Sequence, residues 1–284
     1  MVGEWHNLTQ SKPQTDGIWR RVPCLEASGA VQMAIDNWLL EQHRRGLHPP
    51  SLRFYTWSPP AISLGYHQRE WPSHWQGLTW QGKPVELVRR PTGGRAVLHQ
   101  GDLTYAIALS GIKGSRIQVY EKICQFLIRG WHSLGVPLHY GKAGQSYTRS
   151  ANCFATATGA DLVTETGMKF IGSAQLRRGN AVLQHGSMRL NPDAELFARA
   201  FGTKTDSAIR PEAMGTNRSV REIVETLTRA ARECFEVEFV ERSFDETEWQ
   251  AILNWPPASP PLPSVVGDSR SPHPDCAPPT RPKS

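Results

Sequence analysis

A Pro-Thr-Gly-Gly turn set between two strand-like runs constrains this chain more than any other stretch. Val85, Leu87 and Val88 form one apolar run, and Leu103 to Leu109 form a second, mostly apolar or β-forming. Between them lies Arg89-Arg90-Pro91-Thr92-Gly93-Gly94-Arg95-Ala96-Val97-Leu98-His99. The segment admits two readings. It is a tight strand connection with solvated arginines, because Gly-Gly turns are common. Or it is an anion cradle, because paired glycines let backbone amides approach a ligand and the arginines add charge.

The chain around this turn alternates helical and strand patterns. Ile18 to Val22 starts a short strand. Ser28 is a candidate N-cap, followed by Val31, Ala34, Ile35, Trp38 and Leu39 at helical spacing. Leu52 to Trp57 and Ala61 to Leu64 read as strands, and Tyr66 to Gly82 as an irregular Trp-rich insertion. The clearest helix is Ser115 to Leu134, with Cys124 on its apolar stripe. Gly141 to Thr158 is a loop by composition. Strands follow at Asp161 to Thr164, Lys169 to Gln175 and Ala181 to Leu190. Helical patterns occupy Asp193 to Phe201, Val220 to Cys234 and Asp245 to Leu253, and Val237 to Val240 has the pattern of a short strand. The expected organisation is a loose arm (1–17), one catalytic-sized domain (18–254) and a disordered tail (255–284), since ten of the last 30 residues are proline.

The chain has 284 residues and a net charge of +6. Its basic residues are dispersed, which argues against nucleic acid and suits an acidic protein partner. No apolar run is long enough to span a membrane, and the first residues lack the apolar centre of a signal peptide. The expected address is therefore the cytoplasm. The five cysteines (24, 124, 153, 234 and 276) are scattered and include no Cys-x-x-Cys pair, which disfavours both a disulfide framework and a zinc cluster. No His-Glu-x-x-His motif or phosphate-binding loop is present, and neither a metal nor a cofactor is expected.

Cys153 stands in a polar loop rather than on an apolar stripe, 16 positions before Lys169. Moving a thiol from about 8.5 to about 7 needs roughly 2 kcal/mol of preferential thiolate stabilisation, which one close ammonium in a partly desolvated site supplies. On spacing alone Cys153 is a nucleophile or an incidental loop thiol, and Lys169 its partner or a solvated strand charge. Period two places Lys169, Ile171, Ser173 and Gln175 on one strand face. Gly172 and Ser173 leave that surface low, for a ligand or for a close strand neighbour. His99 and His185 are pocket walls, proton carriers or satisfied structural histidines.

The run RRPTGGRAVLH resembles the signature of the biotin/lipoate protein ligase superfamily, in the branch that attaches lipoate or octanoate to carrier proteins. Gly172-Ser173-Ala174-Gln175 with Gln184-His185-Gly186-Ser187, and Leu52 to Pro60 with Ser63-Leu64-Gly65, resemble the same branch. The blocks come in family order and cover roughly residues 18 to 250. Ala151-Asn152-Cys153-Phe154 is similar to the nucleophile segment of the cysteine-dependent octanoyltransferases. Arg95 stands where the ATP-dependent lipoate ligases more often have a third glycine.

The resemblance implies an α+β fold: a mixed, mainly antiparallel sheet flanked by helices. It implies Cys153 as the acyl-carrying nucleophile and Lys169 as the family's essential lysine. It implies a substrate site of Arg89, Arg90, Gly93, Gly94, Arg95, His99, Gly172, Ser173, Ala174, His185 and Gly186. The implied donor is octanoyl acyl-carrier protein, and the implied acceptor a lysine of a lipoyl domain or of the glycine-cleavage H protein. Two other readings stay open, an ATP-dependent lipoate-protein ligase and a non-catalytic acyl- or partner-binding protein of the same fold.

Overall fold

The computed structural model describes residues 17–141, 161–202 and 218–256. Almost all of the expected arm and tail, Cys153 with its loop, and Cys276 lie outside the described residues. The strands are β1 (Ile18–Ala27), β2 (Ser51–Trp57), β3 (Ala61–Leu64), β4 (Thr79–Trp80), β5 (Lys83–Pro84), β6 (Glu86–Arg89), β7 (Val97–His99), β8 (Asp102–Ser110), β9 (Leu138–Tyr140), β10 (Asp161–Thr164), β11 (Lys169–Arg178), β12 (Ala181–Arg189) and β13 (Glu238–Glu241). The helices are α1 (Gly29–Arg44), α2 (Arg116–Ser133), α3 (Ala194–Phe201), α4 (Val220–Phe235) and α5 (Glu246–Leu253). Helix starts follow the capping residues. Ser115, Ser219 and Asp245 each form a capping box with the residue three positions on, and Asp193 caps α3.

Eight strands form one sheet in the order β13-β1-β2-β8-β12-β11-β10-β9. The β13–β1 and β1–β2 pairings are parallel and the rest antiparallel. A smaller sheet, β6-β3-β7, carries the organising turn between β6 and β7. The fold is therefore the expected α+β arrangement, with helices against a mixed, mainly antiparallel sheet. The insertion, read as irregular, holds a short 3-10 turn (Ser73–Gly77) and the β4–β5 pair. Trp75 and Trp80 there bond to Ala200 O and Asp193 Oδ2, tying the insertion to α3.

Alternation along the central strands divides the large sheet into two unlike faces. On β8, Leu103, Tyr105, Ile107 and Leu109 join the main core with α2 and α4. The residues between them, Asp102, Thr104, Ala106 and Ala108, turn small or polar groups to the other face. There α1 and the smaller sheet pack. Gly130 on α2 lets α4 close in, since a Cβ at that position would stand 2.6 Å from the Leu227 side chain. No helix among the described residues is long and apolar enough to cross a membrane.

Leu227 is wholly buried at that contact. Leu227→Ala should lower the unfolding free energy by about 2–5 kcal/mol, read from urea titration, while an exposed α4 change such as Arg229→Ala should stay within about 0.5 kcal/mol.

Candidate active site

The small residues on the second face leave room. A cleft opens over that face, with about 460 Å³ of space between the atoms, part of it open to solvent. Its apolar walls include Met33, Tyr55, Trp57 and Val97, and Gly172, Ala174, His185 and Ser187 contribute from β11 and β12. In register, Ala174 faces His185 and Gly172 faces Ser187, so the two sequence blocks that stood apart form one surface. The organising turn supplies Arg90, Gly93 and Gly94, and β7 supplies His99. Ser173 and Gly186 also border the cleft, yet Ser173 Oγ takes the Tyr105 hydroxyl proton on the helix side. A Cβ at Gly186 would meet that same Oγ at 2.3 Å.

The turn is a built wall. Arg90 donates to Gly93 O from Nε and Nη2, to Arg95 O from Nη2, and to Ser63 O and Oγ from Nη1. These contacts match the five N–H donors of a guanidinium. Gly94 takes φ +97°, and a Cβ there would meet Arg90 Nη2 at 2.7 Å. A Cβ on Gly65 would stand 1.8 Å from Gly94 O. Gly93, in contrast, faces open space. Arg89 and Arg95 are not among the cleft's walls. Arg89 donates instead to Gly65 O and Gln68 O, holding the start of the Trp-rich insertion.

Two carboxylate–imidazole–hydroxyl chains brace this wall. In the first, His99 Nδ1 meets Asp102 Oδ2 at 2.8 Å and His99 Nε2 meets Ser63 Oγ at 2.8 Å. Ser187 and Thr104 also donate to Asp102, Trp57 Nε1 donates to Thr104 Oγ1, and the Trp57 ring stacks on His99 at 3.8 Å. Burial pushes the His99 imidazole down despite Asp102, so the ring stays neutral, with its proton toward the carboxylate. In the second, His185 Nδ1 meets Asp36 Oδ2 at 2.7 Å and His185 Nε2 meets Thr92 Oγ1 at 2.6 Å. Asp36 also accepts from Tyr55 OH at 3.0 Å and pairs with Arg53 at 3.3 Å.

Lys169 departs from the expected face. Leu162 registers with Ile171 but Val163 with Lys169, so Phe170 is an extra residue in β11. A bulge reverses the alternation on one side of it. Phe170 and Ile171 both enter the core under α2, and Lys169 therefore shares the face of Gly172 and Ala174 rather than that of Ile171, Ser173 and Gln175. Its ammonium sits 2.8 Å from Asp161 Oδ1, and both side chains are buried. Asp161 registers opposite Gly172, so the ion pair lies beside that residue on the β10 side, though neither partner is among the cleft's walls.

Among the described cysteines none borders the cleft. Burial pushes the Cys124 thiol up to about 12, and it also raises that of Cys234; Cys24 is exposed on β1. Asp36, Asp102 and Asp161 carry no site signal in the sequence, and Ser63 stands there only as part of the Ser63-Leu64-Gly65 block. Asp36 does carry a burial signal, because Met33, Asp36 and Leu40 form a second helical stripe on α1 beside the one read from Val31 and Ile35.

Residues 28–245 match the family model of the lipoyl protein ligase A/B catalytic domain. The chain is 40% identical over 192 residues to octanoyltransferase LipM of Kyrpidia tusciae, spanning 63% of this chain and 69% of that one. It is 35% identical over 258 residues to octanoyltransferase LipM of Moorella thermoacetica, covering 81% and 91% of the two. In three dimensions it is similar to a putative lipoate protein ligase from T. acidophilum with bound lipoic acid, at TM-score 0.67 and 21% identity, covering 82% of this chain and 93% of the other.

Two outcomes follow from the wall. Gly65→Ala should displace the Gly94 carbonyl and weaken fatty-acid binding at least about tenfold, a 1.4 kcal/mol effect, in calorimetric titration with octanoate. The histidine burial predicts a pH dependence. The folded-state value of His99 lies below the unfolded one, so the unfolded chain takes up the proton first and stability falls as pH drops below about 6.5. His43 and His48 are lowered by burial too and add the same sign. Glu41, held down to about 2 by its bond to Arg44, acts only below about pH 4.3. The urea midpoint should therefore drop between pH 8 and pH 5.5, and drop less in His99→Gln.

Proposed function

The chain belongs to the lipoyl protein ligase A/B catalytic-domain family, and we propose that it is a protein octanoyltransferase of lipoate biosynthesis that works through an acyl-cysteine. The observation that carries the reading is the cleft itself: a mainly apolar space floored by Gly172 and Ala174, with a buried Lys169–Asp161 pair on the strands beside Gly172. The shared identity with named octanoyltransferases over more than two thirds of their length supports the same activity. The likeness to a lipoate-binding ligase supports the fold.

In the proposed reaction the Cys153 thiolate attacks the carbonyl of an octanoyl thioester on acyl-carrier protein. The carrier's thiolate leaves and takes up a proton, and octanoate stays on Cys153 as a thioester. The lysine amine of a lipoyl domain or of the glycine-cleavage H protein then attacks that carbonyl. An amide forms, the amine loses a proton, and the Cys153 thiol is released. No ATP enters either step, because the donor is already a thioester. The Lys169 ammonium stabilises the developing oxyanion in each addition. Asp161 holds that ammonium in a buried place, where an oriented charge acts more strongly than in water. The substrates put the reaction in the cytoplasm.

Intact mass after incubation with octanoyl acyl-carrier protein, without ATP, tests the scheme. The wild type should gain one octanoyl group, lost on neutral hydroxylamine and absent in Cys153→Ala. Transfer that persists in Cys153→Ala, or that requires ATP, would refute it. Lys169→Ala should cut turnover by about 10²–10³, the usual effect of removing one oxyanion donor.

A further inference from the structure

Asp36 lies in the middle of α1 and is completely buried. Burying a carboxylate is costly, and an apolar side chain of similar size often stabilises a fold as well or better. Its contacts run toward the organising turn. Oδ2 takes His185 Nδ1 at 2.7 Å and the Tyr55 hydroxyl at 3.0 Å, and Oδ1 pairs with Arg53. Through His185 Nε2 the chain reaches Thr92 Oγ1 at 2.6 Å, and Thr92 O accepts from Tyr66 N at 2.8 Å. Thr92 immediately precedes Gly93 and Gly94, which wall the cleft. A helix carboxylate thus reaches the turn through two side chains brought from β12 and from the turn itself.

We propose that Asp36 is a positioning residue for acyl binding, acting through His185 and Thr92 on the Gly93–Gly94 wall. A carboxylate only accepts, so it keeps the His185 proton on Nδ1 and leaves Nε2 to accept the Thr92 hydroxyl. That direction of bonding holds the turn against the β11–β12 floor. An Asn side chain has one oxygen to set against His185, Tyr55 and the Arg53 guanidinium, where Asp36 offers two; with that oxygen kept toward the Arg53 charge, its NH₂ faces His185 and moves the ring proton to Nε2. Thr92 would then have to accept, and the turn would shift. The inference rests on the reading of the cleft as the acyl site.

The test is a double-mutant cycle on the full chain with two readouts, octanoate affinity by calorimetry and KM against kcat for octanoyl acyl-carrier protein. Asp36→Asn and Thr92→Val should each weaken octanoate binding and raise KM about tenfold, the scale of one buried hydrogen bond, with kcat within about twofold. The double variant should be no worse than the poorer single one, because both break one chain. Thr92→Ser should restore binding. The ¹⁵N spectrum of His185 should show the proton on Nδ1 in the wild type and on Nε2 in Asp36→Asn. Effects that multiply to about a hundredfold, unchanged affinity in Thr92→Val, or an unchanged tautomer would each overturn the proposal. If Asp36→Asn fails to fold, the Thr92→Val and Thr92→Ser pair decides. Octanoate binding that follows this pattern in a chain without turnover would sink the transferase reading and leave the positioning role standing.

Discussion

The site depends on one guanidinium. Arg90 gives its donors to the carbonyls of Gly93, Arg95 and Ser63, and so turns a glycine-rich connection into a fixed wall. An exposed loop of this composition would have many conformations, because glycine loses the most freedom on ordering. The bonds from Arg90 offset that loss. The close approach of Gly65 to Gly94 removes what slack remains. Backbone in this state approaches a ligand without rearrangement, which is what a binding site requires of the groups lining it.

The large sheet supplies the complementary surface by an unequal division of its faces. Leu103, Tyr105 and Ile107 fill the core beneath α2 and α4, while Thr104, Ala106, Gly172, Ala174 and Ser187 keep the other face shallow. A strict alternation along β11 would send Lys169 into the core with Ile171. The extra residue at Phe170 turns it to the shallow face, and Asp161 on the neighbouring strand balances its charge there. Packing, bulge and ion pair thus contribute to one arrangement, a mainly apolar trough with a buried ion pair beside Gly172.

Much of this architecture is legible in the residue pattern. The apolar stripe of α2, the alternation of β8 and the turn chemistry at Gly93-Gly94 are local signals, and each marks the element that forms. The partnerships are not local. Nothing near His185 in the chain points to Asp36, 149 positions earlier, or to Thr92. His99 could be read as a pocket wall, but Ser63 becomes its partner only when β3 pairs with β7. Strict alternation misplaces Lys169 for the same reason, because a bulge is a property of two strands in register and not of one. Asp36 lies off the apolar stripe of Val31, Ala34, Ile35, Trp38 and Leu39, on a helix that is buried on two sides. Cys153, the residue the sequence marks most clearly for chemistry, lies outside the described residues.

The central claim is that the acyl chain lies in the trough between the Gly93–Gly94 wall and the β11–β12 floor, with its carbonyl at the Lys169 edge. A crystal structure with octanoate bound tests it most directly. The account predicts alkyl density over Gly172 and Ala174 beside Trp57 and Val97, and the carboxylate within hydrogen-bonding reach of Lys169 Nζ. Density for the chain anywhere else, or a carboxylate at the opposite end of the trough, would contradict it.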